Sequence, residues 1–233
     1  MQTNVNSFYD ILNIAKDNDA PLIYASSAAT YGSLSSPQTV GQESPENPYG
    51  FSKYMMDQVA YRFGNENPNM TIIGLKFFNV YGPRARTSGT YGAVFGVFLA
   101  QKLSNKPYTV VGDGNQTRDF TFVSDVVSAL VTAAKSDLSG EVINIGSNNT
   151  YSINRLVELL GGDITYIPKR PGEPDCTWAD ISKATQLLNW EPKVSLETGV
   201  QILLNNMEYW EDAPVWDKKS IAKATEQWFE YLS

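Results

Sequence analysis

The sequence predicts an α/β fold with a parallel sheet, and three observations carry that prediction. Apolar strands at 22–25 and 71–77 flank a helix beginning at Tyr49, and this strand–helix–strand order is the signature of parallel pairing. At 233 residues the chain has length for one globular unit or a domain with a smaller lobe. A hydrophobic content of 42% is that of a water-facing protein, and no apolar run approaches the ~18 residues of a membrane span.

The elements follow in order. Val5, Phe8, Leu12 and Ala15 form one stripe, which predicts a helix over 3–17. Pro21 introduces the strand 22–25, and a loop rich in Ser, Pro and Gly runs to Pro48. A helix then spans 49–63, a turn occupies Asn65-Glu66-Asn67-Pro68-Asn69, and the strand 71–77 follows. Further on, the pattern predicts a helix over 91–103 and a strand over 108–111. Gly112-Asp113-Gly114 reads as a hairpin turn. Residues 120–123 lead into a helix over 124–134, and a strand at 142–145 ends at Gly146. Ser152 caps a helix over 152–160 that stops at Gly161-Gly162, before a strand at 164–167 and a loop at 168–174. Helices over 181–188, 195–209 and 217–232 complete the chain, and the aromatic residues of its tail (Tyr209, Trp210, Trp216, Trp228, Phe229, Tyr231) read as packing. There is no internal repeat and no low-complexity tract.

Composition narrows the chemistry. A formal net charge of −7 argues against general binding to nucleic acid or a membrane surface, which needs clustered Lys and Arg. Cys176 is the single cysteine, which excludes an internal disulfide framework and fits a reducing compartment. The chain has no histidine, which removes Ser-His-Asp and Cys-His catalysis and His-containing metal sites; no metal is expected. The first residues lack the basic start and apolar stretch of a signal peptide, so the expected location is cytoplasmic.

Acid–base work therefore falls to Tyr, Lys, carboxylates or hydroxyls, and one set stands out. Tyr49 and Lys53 lie four apart on one helix face, where an ammonium can favour a neighbouring phenolate. Ser27, at a strand end, can share the same proton. Around this set stand Phe77-Phe78-Asn79-Val80-Tyr81-Gly82-Pro83-Arg84, Arg118-Asp119-Phe120, and Lys169-Arg170-Pro171-Gly172-Glu173-Pro174 followed by Trp178-Ala179-Asp180. In this order the segments resemble the extended short-chain dehydrogenase/reductase family, the NAD-dependent nucleotide-sugar epimerases and dehydratases. The similarity covers essentially the whole chain and is closest to UDP-hexose 4-epimerases.

The resemblance implies the C-terminal part of a doubly wound, Rossmann-like sheet with a smaller mixed α/β substrate-binding lobe. Residues 1–90 would belong to a partial NAD-binding domain, and 91–233 mostly to the nucleotide-sugar lobe, with some segments returning to the sheet. It implies that Tyr49 takes a proton from a sugar hydroxyl while NAD receives the hydride, that Lys53 holds the nicotinamide ribose, and that Ser27 bridges phenol and sugar oxygen. Asn4 and Phe77 would lie against NAD. Arg118 and Arg170 would hold the diphosphate, Asn79 would contact phosphate or sugar, Glu173 a ribose hydroxyl of the nucleotide, and Thr177 would gate the sugar pocket. A small side chain at Thr177 leaves room for an N-acetyl group, so UDP-GlcNAc and UDP-glucose are both open. Related dehydratases carry Asp-Glu where this chain has Ala28-Ala29, which argues against water elimination.

Two alternatives stay open. Residues 25–32 are similar to ADP-heptose 6-epimerases, although the stretch after Gly82-Pro83-Arg84 holds no lysine. A non-catalytic nucleotide-sugar-binding module is the other. No glycine-rich dinucleotide loop precedes Tyr49, and at ~30 residues per strand–helix unit roughly 90 residues of the pattern are expected ahead of Met1. The first strand would then form an exposed edge. The expectation is that this chain by itself binds NAD weakly or not at all. The resemblance further implies a homodimer through a four-helix bundle formed by 3–17 and 49–63.

Overall fold

A computed structural model describes residues 2–85, 94–169, 171–226 and 229–230. Three parallel strands build the main sheet in the order β1 (Leu22–Ser27), β2 (Ile72–Phe77), β5 (Glu141–Ile145). β1 and β2 pair from Leu22↔Ile72 through Ser27↔Phe77, which places both strand ends level with each other. β2 is central and almost wholly buried, and its side chains alternate between two layers. Ile73 and Leu75 pack with Ile143 and Ile145 against Val126 and Ala129 of α4 (Val123–Ala134) and Ala184 of α6 (Ser182–Leu188). Ile72 faces the opposite layer, where Phe8 and Leu12 of α1 (Ser7–Asp17) meet Met56 and Phe63 of α2 (Pro48–Glu66).

A second unit sits beside the sheet. β3 (Tyr108–Val111) pairs in parallel with β7 (Ile164–Ile167), and β4 (Thr117–Arg118) pairs antiparallel with β6 (Tyr151–Ser152). Its core joins Phe95 and Phe98 of α3 (Val94–Leu103), Leu156 and Leu160 of α5 (Ile153–Leu160), Val200 and Leu203 of α7 (Leu196–Leu204), and Trp210. α8 (Lys218–Ala224) follows, started by a reciprocal capping box between Asp217 and Ser220.

Several expectations are corrected. The first helix opens as a π-helical turn at Gln2–Asn6, and Val5 stays outside the buried stripe of Phe8, Leu12 and Ala15. β1 runs two residues further than 22–25, because Asp57 satisfies the Ser26 hydroxyl and so permits a polar residue within the ladder. Gly112-Asp113-Gly114 is a turn but not a hairpin, since β3 takes β7 as partner while β4 takes β6. The 195–209 helix breaks after Leu204, where the Asn206 side chain bonds the Ile202 carbonyl and a 3₁₀ turn follows at Met207–Trp210. In the tail, Trp210 is buried in the second core, whereas Trp228 and Tyr231 lie outside the described residues, as does the expected start of the 91–103 helix. No described helix is long and apolar enough to cross a membrane.

Candidate active site

The ends of β1 and β2 open onto one cavity of about 530 Å³, lined by Ser27, Tyr49, Lys53, Phe77, Asn79, Arg118, Glu173 and Thr177. Carboxyl ends of parallel strands are where open α/β sheets take ligands. These residues come from separate stretches of sequence, so the fold itself performs their convergence.

The catalytic-looking set is built locally by α2. Asn47 caps the helix by accepting the Gly50 N–H at 2.8 Å, and Pro48 opens its first turn. Gly50 lets the helix approach the 3₁₀ turn at Ala28–Tyr31, for a Cβ there would stand 2.2 Å from the Ala29 carbonyl oxygen. That approach seats Tyr49 and Ser27 on the same cavity, with Tyr49 53% exposed and accessible to a ligand. The Ser27 hydroxyl accepts the Ala29 N–H at 3.2 Å and keeps its own proton for donation. Lys53 reaches back across β1 and donates to the Ala25 carbonyl at 2.8 Å, which leaves an ammonium with further donors at the cavity wall. Burial pulls the Lys53 ammonium below the usual lysine range, and the Asp57 carboxylate acts in the opposite direction.

On the facing wall, Thr177 donates to the Asn79 side-chain oxygen at 2.8 Å and accepts the Asp119 N–H at 3.3 Å. Asp119 is fully buried and accepts the backbone N–H groups of Ser147 and Ala179. Burial pushes its carboxyl up to about 6, against the pull of those N–H groups. Asp119 thus ties the Arg118 stretch to the loop bearing Thr177. Asn79, Arg118 and Glu173 also border a second cavity of about 260 Å³, walled by Val97, Phe98, Val111, Ile153 and Trp216. The result is a chamber of mixed lining that holds the phenol, the lysine and the serine, and a chamber walled mostly by apolar side chains, and the two share one rim.

Two expected residues stand apart. Asn4 donates its amide to the Ser52 hydroxyl at 3.0 Å, and Ser52 in turn donates to the Tyr49 carbonyl, so Asn4 braces the helix start. Arg170 lies outside the described residues. The sequence alone did not single out Asp119, Asp57 or Lys76 as site residues, the last two forming a buried ion pair beneath α2. A lysine inside an otherwise apolar strand is the one signal that could have found that pair.

Residues 1–146 match the family model described as the NAD dependent epimerase/dehydratase family. An uncharacterized UDP-glucose epimerase YtcB of Bacillus subtilis is 33% identical over 215 residues, covering 88% of this chain and 66% of that protein. The UDP-glucuronic acid 4-epimerase of Bacillus cereus, solved in complex with UDP-glucuronic acid and NAD, is 32% identical with a TM-score of 0.80. That match covers 88% of this chain and 67% of the solved one. The ADP-L-glycero-D-manno-heptose-6-epimerase of Helicobacter pylori is 35% identical with a TM-score of 0.76, over 88% of this chain and 65% of the other. The chain spans about two thirds of the length of the curated relatives it matches.

Proposed function

The chain belongs to the NAD dependent epimerase/dehydratase family, and from that footing we propose that it serves the C4 epimerisation of UDP-hexoses. The observation that carries this reading is the shared cavity, where a phenol, a lysine and a serine face Asn79, Arg118, Glu173 and Thr177. A diphosphate sugar has two ends joined by a charged middle, and two chambers joined at an arginine-bearing rim suit that shape. The chamber of mixed lining takes the hexose at Tyr49 and Ser27. The rim at Arg118 takes the diphosphate, for which a planar guanidinium suits phosphate oxygens. The apolar chamber takes the base. Arg170 is assigned to the diphosphate, Glu173 to the nucleotide ribose, and Thr177 with Asn79 to the sugar.

The residues present fit NAD at its nicotinamide end: Lys53 stands at the cavity wall with donors suited to ribose hydroxyls, and Phe77 lines the same wall. Asn4 supports that end through Ser52. For the pyrophosphate, the chain has no Gly-x-x-Gly-x-x-Gly between a strand and a helix, so its usual anchor of backbone N–H groups is not supplied by these residues. When bound, NAD accepts a hydride from the sugar carbon and returns it. The chain's own residues manage the proton and the geometry. Tyr49 removes the hydroxyl proton and gives it back, Ser27 relays between phenol and sugar oxygen, and Lys53 supplies positive charge that favours the ionised phenol.

Elimination of water is disfavoured by the same wall. Ala28 and Ala29 form the 3₁₀ turn beside Ser27 and bring no carboxyl group. The heptose reaction is disfavoured because residues 85–89 contain no lysine. The cofactor side falls to residues 1–90 and the nucleotide side mostly to 91–233. The single free cysteine, Cys176, supports a reducing, cytoplasmic setting. A second copy is assigned to the face of α1 and α2 that exposes Tyr9, Ile11, Ile14 and Tyr61, forming a four-helix bundle. Sedimentation equilibrium then reports a dimer, and a monomer at high micromolar concentration removes that assignment.

The test of the function is calorimetric titration of UDP-glucose into the chain and into its Arg118→Ala variant. One saturable site is expected, weakened about 10- to 100-fold in the variant by loss of a charge-assisted contact. Equal affinity in the two proteins refutes the placement of the diphosphate.

A further inference from the structure

Gln101 of α3 is wholly buried in the second unit, and the proposed reaction makes no use of it. Its Nε2 donates to the Thr109 hydroxyl at 2.8 Å and to the Trp216 carbonyl at 2.7 Å, and its Oε1 accepts the Thr109 N–H at 3.2 Å. Both amide hydrogens and the amide oxygen are thus spent. A buried amide is tolerated only when paired in this way, and an apolar side chain would fill the same space at lower cost. What the amide achieves is a junction: it joins the edge of β3 that has no strand partner to the stretch leading into α8.

That stretch borders the smaller chamber. Trp216, Ile221, Ala224 and Thr225 line it together with Phe98 and Val111. Positions 221, 224 and 225 have helical spacing, so one face of α8 and its C-terminal cap is turned to the chamber. Just ahead of Trp216, Ala213 is buried in the second core, which fixes where the segment enters. Among the described residues, the remaining hydrogen bonds of 216–225 run within the tail itself, between Asp217 and Ser220 and from Thr225 to Ile221. One hydrogen bond, from Gln101, pins this wall to the rest of the unit.

We infer that Trp216 and the inward face of α8 form a base-binding wall of the nucleotide site, and that Gln101 is the positioning residue holding this wall beside β3. The inference rests on the reading of the smaller chamber as the place of the base. At about 260 Å³ the chamber falls below the ~300 Å³ at which pockets for whole small molecules begin, which suits one planar ring with its diphosphate left at the Arg118 rim. An indole offers a base an aromatic contact that needs no hydrogen-bond pattern, and such a contact changes affinity by about 10- to 100-fold. A wall pinned by one bond and a ligand packed against it stabilise each other, because coupling between two binding events is reciprocal.

Calorimetric titration of UDP, which has the base and diphosphate but no sugar, isolates this half of the site in the full chain. Trp216→Ala is expected to weaken UDP about 10- to 100-fold, and Gln101→Met, which keeps the volume and loses the bond to the Trp216 carbonyl, about 3- to 10-fold. Hydrogen exchange of the wild-type chain gives a second readout: UDP is expected to slow exchange of the α8 amides while those of α1 stay fixed. A tail that serves only as packing lowers the stability of the variants without moving UDP affinity. Unmoved affinity in folded Trp216→Ala therefore overturns the wall, and in folded Gln101→Met the positioning role. If the variants do not fold, α8 exchange unmoved by UDP overturns the inference instead. Absence of UDP binding to the wild-type chain at millimolar concentration refutes the chamber as a base site and the wall with it, whereas intact binding with unmoved affinity in the variants refutes the wall alone.

Discussion

Replacing Tyr49 by Phe lowers the rate of UDP-galactose epimerisation by about 10²–10⁴-fold, with NAD supplied at saturating concentration, because it removes the group that takes and returns the hydroxyl proton. The substitution keeps the ring, and Tyr49 is exposed, so removing its hydroxyl leaves the core packing and the fold intact. UDP-glucose affinity is expected to stay within a few-fold of wild type, since the diphosphate and base are held by other residues. NMR of the C4 epimers gives the rate and calorimetry gives the affinity. Full activity in Tyr49→Phe would falsify the assignment of the proton to this phenol.

The second large effect lies beneath the same helix. Lys76→Met should destabilise the chain by about 3–5 kcal/mol, because it leaves the buried Asp57 carboxylate and the partly exposed Glu43 carboxylate without their cation. The lost bond to Thr30 loosens the turn that follows Ser27 as well. Urea denaturation measures the change, and a loss below about 1 kcal/mol would mean that water or neighbouring donors already satisfy the two acids. The paired variant gives an internal control: Lys76→Met/Asp57→Leu recovers part of the loss, since it removes the buried acid that Lys76 neutralises but leaves Glu43 without its cation.

Much of this arrangement was legible in the sequence. The spacing of Tyr49 and Lys53, the strand ending near Ser27 and the ordered segments at Asn79, Arg118 and Glu173 all meet at one cavity. Local pattern carried the strand–helix–strand core because β2 is apolar nearly throughout and α2 begins with a cap and a proline. What stayed hidden depends on partners distant in sequence. The Gly112–Gly114 turn looks like a hairpin locally, yet β3 is completed by β7 roughly fifty residues later. Asn4 reads as a cofactor contact, while its amide donates to Ser52 on a different helix. Lys76 was hidden for a related reason: a charge in a strand declares its purpose only when Asp57 and Glu43 are seen to close around it. Asp119 behaves likewise, since its anchoring partners come from the 121, 147 and 179 positions.

In the proposed function, the chamber bearing Tyr49 and Ser27 and the rim bearing Arg118 receive one nucleotide-diphosphate sugar. The UDP-glucose titration, followed residue by residue through backbone ¹H–¹⁵N shifts, tests that claim most directly. Ser27, Asn79, Arg118 and Thr177 are expected to respond together along one saturable curve, with Val111 and Trp216 of the apolar chamber joining them. Shifts confined to another surface, or no response of these residues at millimolar UDP-glucose, would contradict it.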